Sequence, residues 1–115
     1  MSKLETLFEN FTVNGEVIPV ARLKYTGKAT KYVVYTEIDR VAGLYADNED
    51  VDSVGVYDFD IYCKNSSFTA ILKALKQKLK IAGYQWQGDS PDMYEEDTGY
   101  FHKTTTFAKE YEQGD

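Results

Sequence analysis

Between Val54 and Gly83 the hydrophobic period of the sequence changes once, and that change restricts the fold more than any other feature of the chain. In the segment from Val54 to Cys63, alternation sets Tyr57, Phe59, Ile61 and Cys63 on one face and Asp58, Asp60 and Tyr62 on the other. A period of two is the signature of a strand with one buried face. Asn65, Ser66 and Ser67 then offer capping side chains, and Phe68, Ile71, Leu72, Leu75, Leu79 and Ala82 recur every three or four residues. That stripe predicts one long amphipathic helix over about residues 67–82, with Lys73, Lys76, Lys78 and Lys80 on its remaining face. Ile81 falls off the stripe, and Gly83 is placed for a C-terminal cap. Each element has one apolar face to cover, so the pair predicts a helix lying on a sheet.

The remaining segments supply that sheet. Leu4, Leu7, Phe8 and Phe11 give residues 2–11 the stripe of a short N-terminal helix, with Ser2 available as its cap. Asn14-Gly15 marks a turn. Residues 17–25 read as a strand, an edge strand or one that begins at Pro19, because proline brings no ladder donor. Thr26-Gly27-Lys28 then turns the chain into a second strand, Lys31 to Ile38, and the two read as a hairpin. Residues 40–51, with Gly43, Asp47, Asn48, Glu49 and Asp50, read as a loop or a long, loosely paired excursion. After Gly83 come a short strand at Tyr84–Gln87, a turn at Gly88–Pro91, and a hairpin of residues 92–96 with 100–107 around Thr98-Gly99. Residues 109–115 read as a polar tail. The expected order is α-β-β-β-α-β-β, an α+β fold with a mainly antiparallel sheet and both helices packed on one side. Residues 1–115 form a single domain of ordinary length.

Composition excludes several classes of function. The formal net charge of −6 argues against general nucleic-acid binding, which relies on a basic stripe to displace phosphate counterions. A single cysteine, Cys63, cannot build a disulfide framework, and its place in the strand alternation makes it a core residue. The opening residues, MSKLETLFENF, lack the apolar run of a signal peptide, and no segment approaches the ~20 apolar residues of a membrane span. The expectation is a chain that starts in the cytoplasm, where the sequons at Asn10 and Asn65 carry no meaning.

No constellation points to catalysis. Asp97-Thr98-Gly99 matches the D-T-G loop of aspartic proteases, but only 18 residues follow Asp97, too few to wrap a catalytic loop. Glu95 and Glu96 would also oppose a shared-proton carboxylate pair, so a hairpin turn is the better reading. His102 is the single histidine and no ligand spacing surrounds it, so no metal and no cofactor is expected. Asp58 and Asp60 share a strand face and leave open a metal-dependent enzyme that adds a loop carboxylate. Alternating acids on a solvated face are the commoner arrangement. The expectation is that the chain is not an enzyme.

Charge is segregated along the chain. Residues 41–63 hold six acids and no base, residues 64–80 five lysines and no acid, and residues 89–97 five acids and no base. Blocks of opposite sign suit a head-to-tail contact between subunits.

The segments IPVARLKYTG, KYVVYTEI, YDFDIYCK, the lysine/leucine helix ending in AGY, and YEEDTGYFHKTTTF follow one another in a recognisable order. From Ile18 to Phe107 this order resembles the small tail-completion, tail-terminator and head–tail joining proteins of long-tailed bacteriophages and prophages of Gram-positive bacteria. The resemblance implies a virion structural subunit, assembled in the host cytoplasm, that forms a ring on the end of the tail tube. Such rings are often hexameric and join the tube protein to head connector proteins. An acidic ring also suits a channel that passes DNA without gripping it. On this reading Asp47, Glu49, Asp50 and Asp52 of one loop, with Asp92, Glu95 and Glu96, make contacts to a neighbouring subunit or the tube. Lys73, Lys76 and Lys80 form the complementary surface. The alternative is a small acidic adaptor or inhibitor module acting as a monomer or dimer.

Overall fold

The computed structural model describes residues 3–42, 51–64 and 68–112. Among the described residues two helices, α1 (Lys3–Leu7) and α2 (Thr69–Ile81), accompany eight strands. These are β1 (Thr12–Val13), β2 (Glu16–Val17), β3 (Val20–Arg22), β4 (Lys31–Ala42), β5 (Val51–Cys63), β6 (Gln85–Asp89), β7 (Met93–Glu95) and β8 (Tyr100–Glu112). The main sheet has the order β3-β4-β5-β8-β6, and β7 also pairs with β8. β1 and β2 form a separate hairpin whose turn residues, Asn14 and Gly15, both have positive φ (53° and 81°). Two such residues make the tight turn that matches strand twist. The architecture is α+β and mainly antiparallel, as expected.

The organising strand behaves as its alternation predicts. Phe59, Ile61 and Cys63 are fully buried and Tyr57 nearly so. In register, Phe59 lies opposite Tyr35 on β4 and Thr105 on β8, and Tyr57 lies opposite Phe107, so one sheet face collects the large side chains. Phe68, Ile71, Leu75 and Leu79 of the helical stripe pack onto that face, joined by Leu4, Phe8 and Phe11 from the N-terminal segment. Burying each such side chain stabilises the fold by about 2 kcal/mol in transfer terms. Both helices therefore lie on one side, and the other sheet face is left open to solvent. Ile81 is 79% exposed, as its place off the stripe requires. At the end of α2, Gly83 N–H donates to the Lys80 carbonyl and Tyr84 N–H to that of Leu79, the paired bonds of a glycine-capped C-terminus. At the other end, the expected caps Asn65, Ser66 and Ser67 lie outside the described residues. Phe68 occupies the cap position and gives no side-chain hydrogen bond.

Four expectations need correction. β3 and β4 pair in parallel and form no hairpin. Leu23 adopts a left-handed conformation (φ 68°), and its N–H donates to the Tyr35 carbonyl, so the chain leaves the sheet edge there. The connection folds back over the open face, where Tyr25 stacks on Tyr32 at 4.4 Å and its hydroxyl receives the Ala29 N–H. The segment 40–51 is no loop at its ends, since β4 continues to Ala42 and β5 begins at Val51; residues 43–50 lie outside the described residues. Gly88–Pro91 is no reversal. β6 includes Gly88 and Asp89, and the chain continues along β8 into β7. Ser90 makes this possible, because its N–H donates to the Thr104 carbonyl and its hydroxyl accepts the Thr104 N–H. Finally, the supposed polar tail is strand as far as Glu112, paired with β5.

Three long strands set the shape. A twelve-residue strand spans about 40 Å, and the molecule measures 46 × 26 × 23 Å with a radius of gyration of 15.0 Å. A compact domain of this length has a radius near ~13 Å. The excess comes from an arm in which β4, β5 and the end of β8 run past the helical layer: on β4 every described side chain from Glu37 to Val41 is exposed.

Candidate interaction surfaces

The open sheet face carries a row of rings. Tyr25, Tyr32, Tyr62 and His102 stack in succession across the strands, with centroids 4.4, 4.8 and 4.3 Å apart. Aromatic pairs of this kind add about 1 kcal/mol each beyond burial. Burial pushes the Tyr62 phenol up to about 12, and the neighbouring Asp60 carboxylate adds to the effect. His102 Nε2 lies 3.1 Å from Asp60 Oδ1, and Thr104 Oγ1 donates to the same oxygen at 2.5 Å. An ionised carboxylate only accepts, so Nε2 carries the hydrogen. Glu95 stands 3.8 Å from the other ring nitrogen. Asp58 accepts from Thr106 at 2.6 Å. The two strand-face acids are thus each held by hydroxyls from β8, and among the described residues no three His, Cys, Asp or Glu side chains gather as a metal site. The Asp97-Thr98-Gly99 motif lies in the turn between β7 and β8, with Gly99 N–H donating to the Glu95 carbonyl and Thr98 Oγ1 to its carboxylate.

The second surface lies where α2 meets β6. Lys76 Nζ reaches Asp89 Oδ2 at 2.7 Å and sits 4.6 Å above the Trp86 ring, while Trp86 Nε1 donates to Asp89 Oδ1 at 2.9 Å. Partial burial pushes the Asp89 carboxyl up, but the hydrogen bond and charge of Lys76, with smaller hydrogen-bond contributions that include Trp86, outweigh it and hold its pKa below the ordinary value. Beside this triangle is an open pocket of about 480 Å³ lined by Lys76, Lys80, Tyr84, Gln85, Trp86 and Phe107. Its floor is aromatic and its rim cationic. β6 pairs with β8 on one side only, so the strand that carries Trp86 is a sheet edge.

The third surface is the arm. A register shift between Glu37 and Asp39 marks a bulge, and Ile38 there is 52% exposed. At the base of the arm Arg40 binds Glu37 (2.5 Å), Ser53 (3.0 Å) and the Tyr57 hydroxyl (3.3 Å), and its guanidinium lies 4.2 Å over the Tyr111 ring. The hydroxyls of Tyr57 and Tyr111 are 2.5 Å apart. Burial and that hydrogen bond raise the Tyr57 phenol well above its ordinary value, and burial does the same for Tyr84 beneath it. Gly55 leaves room for both rings, since a Cβ there would meet Tyr57 and Tyr111 at 3.1 Å.

Against this geometry the sequence-predicted contact residues divide. Lys73 and Lys80 are exposed on α2, and Glu96 is exposed on the turn after β7. Lys76 is engaged within the chain by Asp89, and Asp92 by Lys103 at 2.9 Å. Glu95 is half-buried between Thr98 and His102. Asp52 falls within β5, and Asp47, Glu49 and Asp50 lie outside the described residues. Sequence reasoning missed Trp86 and the base of the arm. The available signal was a lone tryptophan between two glutamines, polar neighbours that mark an exposed strand. Compared by sequence, the chain matches no protein-family model and no curated protein. Among the described residues, no helix is long and apolar enough to cross a membrane.

Proposed function

We propose that the chain is a structural subunit of a long-tailed phage or prophage, a tail-completion or terminator protein that assembles as a ring at the head end of the tail tube. The observation that supports this reading is the presence of two unlike exposed surfaces on one small domain. One is an arm with exposed aliphatic residues and an acidic connection, and the other is a lysine-bearing helix beside an aromatic pocket on an open sheet edge. A ring of identical subunits is closed by heterologous contacts, which need two different surfaces per subunit. An enzyme instead concentrates polar groups in one enclosed pocket, whereas the polar groups here are spread over an open sheet and engaged with one another. The order of segments from Ile18 to Phe107, which resembles the tail-completion proteins, supplies the choice of partners: the tube protein on one side and connector proteins on the other. The chemistry is mechanical, an end-cap that stops tube growth and presents a surface to the head. The test is to add the purified chain to open-ended tail tubes and image their ends. Binding confined to one end, with arrest of tube growth, is the expected result; tubes that remain uncapped and keep growing would contradict the assignment.

A further inference from the structure

We infer that the Trp86 pocket is the receptor for the β4–β5 connection of a second copy of the chain. This rests on the ring reading above and names the contact that would build the ring. The pocket has an aromatic floor of Tyr84, Trp86 and Phe107 and a cationic rim of Lys76 and Lys80. Lys109, 5.6 Å from the Tyr84 ring, adds a third ammonium, and Asp89 is the carboxylate bound into this cluster. Trp86 is 55% exposed, yet its ring is already fixed by Lys76 above it and Asp89 at its nitrogen, so a partner would lose little by ordering it. Residues 43–50 read Gly-Leu-Tyr-Ala-Asp-Asn-Glu-Asp, two large apolar side chains followed by three acids and no base. That segment matches the pocket in both respects, with Leu44 or Tyr45 for the aromatic floor and Asp47, Glu49 and Asp50 for the lysines.

Reach argues for a second copy. The segment is anchored at both ends, because β4 and β5 remain paired as far as Ala42 opposite Ser53, where Tyr111 of β8 is level with them. Trp86 lies opposite Phe107 on the far side of β8. The four residues from Phe107 to Tyr111 rise about 13 Å, and two strand spacings add about 10 Å sideways. An eight-residue segment held at both ends extends at most about 14 Å from its anchors, less than the separation of about 16 Å that these two displacements make. Docking into its own pocket would also require it to cross β8.

The single tryptophan makes the test direct. A peptide of residues 42–51, titrated to millimolar concentration, is expected to give a saturable change in Trp86 emission. Lys80→Glu should weaken it about fivefold or more, the scale for reversing one rim charge. The same peptide carrying Asp47→Asn, Glu49→Gln and Asp50→Asn should give no response. In full-length chains, a tip-neutralised variant and a Lys73→Glu/Lys80→Glu variant should each fail to assemble, yet their mixture should form a one-to-one dimer through the one contact left intact. A flat peptide titration, or equal assembly by all variants, would overturn the inference while leaving the ring reading in place. Peptide binding by a chain that neither assembles nor caps tubes would overturn the ring and keep the contact. Changed Trp86 emission in a tip-neutralised monomer, at concentrations where wild type is also monomeric, would place the contact within one chain and overturn the second-copy assignment.

Discussion

Replacing Asp89 by Asn tests whether the charge of the second helix is spent inside the molecule. The carboxylate is bound by Lys76 at 2.7 Å and by the Trp86 indole at 2.9 Å, and the two charged side chains are 20% and 32% exposed. Asparagine keeps an oxygen for the indole and loses the charge. Exposed ion pairs contribute about 0.2–1 kcal/mol and charge-assisted hydrogen bonds about 1.5–3 kcal/mol. A pair exposed by a fifth to a third belongs between them, at about 1 kcal/mol, which lowers the Tm of a domain this size by about 5 °C. A double-mutant cycle with Lys76→Met should recover most of that as coupling energy. The pH dependence follows from the lowered Asp89 pKa. A carboxyl depressed in the folded state contributes stability that is present above its unfolded value of about 3.9 and is lost as pH falls through the folded value. Wild type should therefore exceed Asp89→Asn by a constant margin from pH 7 to about 5, with the gap closing below about 4. Urea unfolding followed by Trp86 emission measures both quantities. Equal stability at pH 7, or a gap that widens in acid, would refute the argument.

Two further perturbations probe the aromatic framework. Tyr32, Tyr57, Tyr62 and Tyr84 all have phenols raised chiefly by burial, Tyr62 to about 12. Groups raised in the folded state stabilise it below their unfolded value of about 10 and cease to do so as pH rises through the folded values. Absorbance titration should show Tyr57, Tyr62 and Tyr84 ionising only with a cooperative alkaline unfolding, and reversible ionisation of all ten tyrosines below pH 11 would contradict this. Gly55→Val should cost about 1–2 kcal/mol, the cost of overpacking offset in part by β propensity. The reason is that a Cβ there already meets Tyr57 and Tyr111 at 3.1 Å, so a larger side chain must displace Tyr111 from Arg40. A gain in stability in urea unfolding would show that the arm has no such close packing.

The fold was legible where one residue type decides one face. Alternation from Tyr57 to Cys63 and the stripe from Phe68 to Leu79 located the core, because burial there leaves no choice of side chain. Pairing direction was less legible. The parallel β3–β4 pair depends on a left-handed Leu23 and on Tyr100, which holds Ala29 from 71 positions away. Neither signal is local. The false turn at Gly88–Pro91 has a similar origin: glycine and proline mark a break, and the Ser90 hydroxyl that carries the ladder across it is recognisable only once β8 is alongside. Strand β8 looked like a tail beyond Phe107 because Lys109 and Glu110 belong to a solvated arm. The charge blocks were legible but not their pairing, since Lys76 meets Asp89 and Lys103 meets Asp92 across the fold of one chain. This also narrows which lysines test assembly. Reversing Lys76 disturbs the subunit itself, whereas Lys73 and Lys80 are exposed.

The most direct test of the assembly reading is absolute mass by light scattering, measured over protein and salt concentration with and without open tail tubes. A discrete ring-sized species that loses subunits as ionic strength rises is the predicted result, because contacts between exposed charges are screened beyond about 10 Å at 0.1 M salt. A monomer at every concentration, equally inert toward tube ends, would contradict it.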